Sequence, residues 1–250
     1  MLNQSDFVNK IKEYESNFKK FMGIDSFPQY VLHTKEASFF LAEAQGYDSV
    51  ASTHYDIQSK SHTLTVSTNL KLHEYLLFHE FTHILDSEIY VNNDKMRYLG
   101  ISGFTEYHAA QVELMAMLGI QSINDKPSFS MNKIIHTISG DKSVKQYVSE
   151  KQQHAIELFS RDDFPSSIEM LKISFGILFN YWGLRAICSM YATDYIEKIE
   201  NKSFLNYIPT NVFVLLNSLM RGWLNDSAVN TSIPLYANTL IALVKQYKLA

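Results

Sequence analysis

Residues 62–86, HTLTVSTNLKLHEYLLFHEFTHILD, change their period halfway along. Leu64 and Val66 alternate with Thr63 and Thr65, the period of two that marks a half-buried strand. From Asn69, which can cap a helix, apolar residues recur at helical spacing to about Ser87. At about 100° per residue, His83 lies roughly 40° from His79, Glu80 about 100° and Asp86 about −20°. Leu77, Phe78, Phe81, Ile84 and Leu85 take the opposite side. A strand therefore feeds a helix that buries one face and presents two imidazoles, one turn apart, on the other.

Working outward, Phe7, Ile11, Tyr14, Phe18 and Phe21 predict an amphipathic helix with Ser5 or Asp6 as cap and Gly23 as stop. Thr34 is expected to cap a second helix through Ala44, ended by Gly46. Ser49 to Thr68 reads as two strands around the polar Gln58-Ser59-Lys60-Ser61. A loop is expected from Val91 to Gly103, then a helix opened by Thr105 and closed by Gly119. Beyond Pro127 only helical patterns appear, and Val212, Leu215, Leu216, Leu219, Trp223 and Leu224 form a stripe expected in the core. The fold class is α+β, predominantly helical: a core with a small β-sheet over residues 1–125 and a helical C-terminal region over residues 126–250, with a soft boundary between them.

With 22 Lys+Arg against 26 Asp+Glu in 250 residues, the formal charge of −4 supplies no net basic field, so neither a nucleic-acid partner nor an anionic membrane surface is expected. Cys188 is the sole cysteine, which excludes an internal disulfide and a multi-cysteine zinc ribbon and suits a reducing cytosol. The N-terminus lacks the continuous apolar run of a signal peptide, so a cytoplasmic location is expected. Ile173 to Ala192 is long enough to span a bilayer, but Arg185 at its centre would cost about 2.5 to 3.5 kcal/mol there. A buried helix is the expected form.

The chemistry rests on His79-Glu80-Phe81-Thr82-His83. Two neutral imidazoles give a tetrahedral Zn2+ half of its ligands, and a third protein ligand leaves the fourth position for water. Glu80 is then placed as general base beside a water whose pKa the metal lowers to about 7. Glu106 is the favoured third ligand, on the ground that a carboxylate in the first turn of its helix is favoured by the dipole. Glu113, His108 and Asp86 are the alternatives. Ala109, Ala110 and Glu113 lie within about 60° of Glu106, whereas His108 lies near 200°, so Glu106 and His108 do not share a face. Glu113, two turns on, can also orient a ligand imidazole from behind.

A strand HTLTVS, a helix carrying HEFTH and a following helix with Glu-x-x-Ala (Glu106 to Ala109) together resemble the zincin metallopeptidases of the glutamate-ligand type, in particular the ImmA/IrrE-like group of bacterial and phage-borne proteases. The resemblance covers roughly residues 50 to 118, and in that family glycine commonly precedes the second histidine, where this chain has Thr82. It implies a zincin-like core with His79, His83 and Glu106 as zinc ligands, Glu80 as base, and cytosolic proteolysis of a regulator.

The expected function is zinc-dependent peptide-bond hydrolysis on a peptide or protein substrate. The alternative is a zinc-binding regulatory or interaction protein with little catalytic activity. Because an extended peptide is readily aligned along an exposed strand edge, His62 to Ser67 is expected to be that edge, with Thr63 and Thr65 contacting substrate. The sequence is silent on oligomeric state.

Overall fold

In the computed structural model, which describes residues 4–35, 39–40, 48–68, 70–196, 206–219, 222–224 and 226–249, the chain is a mostly helical α+β structure. Helix α1 (Gln4–Met22) forms as its spacing predicts, with Phe7, Ile11, Phe18 and Phe21 buried and Gly23 beyond its end at φ 69°. Glycine adopts that left-handed conformation without steric penalty.

Strand β1 (Tyr30–Lys35) follows, then the short pair β2 (Phe39–Phe40) and β3 (Asp48–Ser49). The helix expected from Thr34 is therefore corrected: Thr34, Phe39 and Phe40 are in strands, and the rest of that stretch lies outside the described residues. Tyr30 and Leu32 pack against the core while Val31 is exposed, and pairing of this alternating segment with a neighbouring strand wins over a local cap.

Strands β4 (Ala51–Asp56) and β5 (Ser61–Ser67) form the expected hairpin, with Leu64 and Val66 fully buried. The strand order is β1-β5-β4, with β1 parallel and β4 antiparallel to β5. Leu64 thus faces Leu32 on one side and Thr53 on the other, and the expected docking edge at His62 to Ser67 is an interior strand. Thr63 and Thr65 have their strand flanked on both sides. Alternation specifies which face of a strand is buried; it carries no information about which neighbours flank it.

Helix α2 (Glu74–Tyr90) packs on α1 and β4. The rings of Phe18, Phe27, Phe78 and Phe81 lie 5.3 to 5.6 Å apart, mostly edge to face. Each such pair contributes roughly 0.5 to 1.5 kcal/mol beyond the area it buries. Asn69, the expected cap, is outside the described residues, and the helix begins after His73 with no side-chain cap bond. Thr82 is fully buried, its hydroxyl donating to the Phe78 carbonyl at 2.8 Å.

Helix α3 (Lys95–Met117) starts well before Thr105, because Asp94 caps it by accepting from the backbone N–H groups of Met96 and Arg97. Gly100 and Gly103, read from sequence as loop residues, are interior helical positions. They serve close packing instead: a Cβ on Gly100 would lie 2.3 Å from the Ile233 carbonyl oxygen. The hairpin of β6 (Ile134–Thr137) and β7 (Gly140–Ser143) breaks the all-helical expectation beyond Pro127, with Gly140 at φ 106° in its turn.

Next come α4 (Val144–Phe159), started by a Ser143/Gln146 capping box, α5 (Ile168–Tyr191), α6 (Thr210–Leu219) and α7 (Asp226–Gln246). Helix α3 is central, touching α2 on one side and α5 and α7 on others. At its crossing with α5, a Cβ on Gly183 would meet the Tyr107 carbonyl oxygen at 2.1 Å, so only glycine permits this approach. Helix α5 is buried on nearly every face, Tyr181 and Trp182 included, and no helix among the described residues is long and apolar enough to cross a membrane. Of the stripe expected in the core near residue 215, Trp223 and Leu224 pack against it, while the side chains of Val212, Leu215, Leu216 and Leu219 lie outside the described set.

Candidate metal centre

His79 and His83 leave the same side of α2, their ring centroids 4.8 Å apart. Facing them from α3 is Glu106, with Oε2 3.4 Å from His79 Nε2 and Oε1 3.6 Å from His83 Nε2. Glu106 lies well inside α3 rather than in its first turn, so the helix dipole does not account for its place. Packing between the helices does. Ala109 and Ala110 are fully buried, and Ala110 lies toward Gly183, on the side of α3 that meets α5.

The outer ring nitrogens are also engaged. His79 Nδ1 is 2.6 Å from Glu113 Oε2, and His83 Nδ1 is 2.8 Å from Thr105 Oγ1. An Nδ1–H donated outward leaves the Nε2 lone pair for a metal ion, and such outer partners fix the tautomer and direction of a ligand ring. The second oxygen of Glu113 accepts from the Tyr147 hydroxyl on α4. Glu80, next to His79 in the chain, accepts at Oε2 from Thr53 Oγ1 of β4 at 3.0 Å.

His108 and Asp86, the other candidate ligands, bind each other instead, with Nδ1 2.9 Å from Oδ1. Thr63 and Thr65 lie on the central strand, and Thr53 is the strand threonine that bonds Glu80. Sequence reading missed Thr53, Tyr147 and the bond from Thr105 to His83. Thr53 lies in a predicted strand whose neighbour order was not readable, and Tyr147 comes from a distant helix with no motif around it.

Electrostatics bind the cluster together. Burial by itself lowers the His79 pKa, but the Glu106 and Glu113 carboxylates outweigh it and hold the imidazole well above its ordinary 6.5. Burial raises Glu106, and His83 and His79, with help from the Asn180 side chain on α5, more than reverse this and hold its carboxyl below the usual range. Glu113 is likewise held low, burial opposing and His79 prevailing.

The donor set fits a zinc-sized ion. Bonds of roughly 2.0 to 2.2 Å in tetrahedral geometry place ligand atoms about 3.3 Å apart. The two nitrogen–oxygen separations approach that value, and the three donor atoms lie within 4.8 Å of one another. This is the group among the described residues that could hold a metal ion, and the Glu106 side chain is 31% exposed. No protein-family model, curated protein or solved structure matches the chain.

Proposed function

We propose that this chain is a zinc-dependent peptide hydrolase of the glutamate-ligand zincin kind that its HEFTH and Glu-x-x-Ala segments resemble. His79, His83 and Glu106 hold the metal, and Glu80 is the general base. The observation that carries this reading is the convergence of two imidazoles and one carboxylate near zinc-ligand spacing, all three partly exposed, with Glu80 following the first of these histidines in the chain. Two histidines, one carboxylate and one open position are the donor set of a catalytic zinc site.

Zinc, when bound, supplies Lewis acidity, polarising a carbonyl and acidifying water. The remaining work belongs to the chain's own side chains. Thr53 Oγ1 holds Glu80 Oε2, which leaves Oε1 to accept a proton from the attacking water and return it to the leaving amine. Glu113 and Thr105 hold the two imidazoles in their productive tautomer from behind.

Substrate docking moves from β5 to β4. The bond from Ser67 N–H to the Val50 carbonyl fixes the hairpin register, turning the backbone groups of Ser52, His54 and Asp56 toward β5 and those of Thr53 and Tyr55 outward. An extended peptide added along that outer edge would run past Thr53 and so past Glu80.

Elemental analysis of untagged protein, with a peptide-library cleavage assay in parallel, tests the reading. We expect one zinc per chain, lost in His83→Ala. Glu80→Gln should keep the metal and lose cleavage by roughly 100- to 10,000-fold, because an amide cannot accept the water's proton. Zinc-loaded wild type that cleaves no peptide would point instead to a metal-binding regulatory protein.

A further inference from the structure

Glu113 is buried on α3, with one oxygen on His79 Nδ1 at 2.6 Å and the other accepting from the Tyr147 hydroxyl. The last torsion of a glutamate side chain is broad, so a carboxylate held at one oxygen can swing its plane and let its partner turn with it. Held at both oxygens, its plane is fixed. A continuous path therefore runs from Tyr147 through Glu113 to the His79 ring, whose opposite nitrogen faces Glu106. Its outer end lies on α4, beyond the β6–β7 hairpin and outside the stretch that carries the HEFTH signature.

We propose that Tyr147 is a positioning residue of the metal centre, acting through Glu113 to fix the direction of the His79 imidazole. The proposal rests on the reading of His79, His83 and Glu106 as metal ligands. Tyr147 is only 9% exposed and its ring belongs to the core, so phenylalanine in its place keeps the packing and removes the hydroxyl alone.

The test uses the full chain, with zinc affinity measured by competition against a chromophoric chelator and ligand geometry read from the visible absorption of the cobalt-substituted protein. Tyr147→Phe should weaken zinc about three- to tenfold, less than the roughly 10- to 100-fold typical of removing a ligand's direct partner. Its cobalt bands should shift, while the thermal midpoint of the metal-free form stays near wild type. In a Glu113→Gln background the same substitution should change neither affinity nor spectrum, because the route is already broken. Wild-type affinity in Tyr147→Phe, an equal loss in both backgrounds, or failure of Tyr147→Phe to fold would each overturn the proposal. If wild type itself takes up no zinc, the metal reading falls and this inference with it; if wild type binds zinc and Tyr147→Phe binds it equally, only the inference falls.

Discussion

Zinc uptake should displace a proton, and His79 is the group that holds it. Its ring lies 3.4 Å from Glu106 Oε2 and 2.6 Å from Glu113 Oε2. Burial lowers its pKa, the two carboxylates outweigh burial, and the result stands well above 6.5. On that balance an imidazolium is expected at neutral pH, and a metal ion, which requires the neutral ring, would have to expel its proton. From about pH 6.5 up to the raised pKa, each pH unit should strengthen zinc binding about tenfold, equivalent to about 1.36 kcal/mol. The stability of the metal-free fold runs the other way. Because the folded pKa of His79 exceeds the unfolded one, its contribution is fully present below about pH 6.5 and is lost as pH rises through the raised value, whereas the lowered Glu106 and Glu113 lose theirs as pH falls below the ordinary carboxylate range. Titration calorimetry in buffers of differing protonation enthalpy should read about one proton released per zinc just above pH 6.5. Glu113→Gln removes one of the two carboxylates and should release a smaller fraction. A flat affinity with no proton release would mean that His79 is already neutral, and would refute the balance between burial and carboxylates on which the expectation depends.

Removing the two carboxylates separately should distinguish their places: Glu106→Gln should abolish tight zinc binding, whereas Glu113→Gln should weaken it about 10- to 100-fold, as chelator competition would show. Gly183→Ala should destabilise by roughly 2 kcal/mol in denaturant titration, since its Cβ would lie 2.1 Å from a backbone oxygen and alanine's helix propensity returns only about 1 kcal/mol. Gly176→Ala, whose Cβ comes no nearer than 3.6 Å to Glu106, should instead be neutral or slightly stabilising and leave zinc content unchanged. Thr65→Pro should abolish cooperative thermal unfolding because β5 is flanked on both sides, while Thr53→Pro on the outer edge should stay folded and lose cleavage.

The helix carrying His79, Glu80 and His83 was legible because its two faces differ sharply in polarity, and the imidazole spacing follows from helical geometry alone. The sharing of one face by Glu106 and Glu113, and the exclusion of His108 from it, were legible for the same reason. What failed was punctuation. Gly100 and Gly103 resemble loop residues in sequence, yet they lie inside α3, where other helices come within touching distance. A single chain does not distinguish a glycine kept for its dihedral freedom from one kept for its lack of a side chain. Thr34 could have capped a helix, and a strand some thirty residues away decided otherwise. Strand order was invisible for the same cause, since what sets Thr63 apart from Thr53 is which strands flank it, and those come from elsewhere in the chain.

The mixed pairing of β5 also bears on how the sheet assembles. Its antiparallel partner β4 is joined to it by a short turn, whereas its parallel partner β1 pairs Tyr30 with His62 across some thirty residues of chain. Closing the longer loop costs roughly 1.5 kcal/mol more entropy than closing the turn. Hairpins of this kind form in roughly 1 to 10 μs, and distant parallel pairing is slower. The β4–β5 hairpin, with Thr53 on its outer edge, is thus expected to form before β1 pairs along its opposite side.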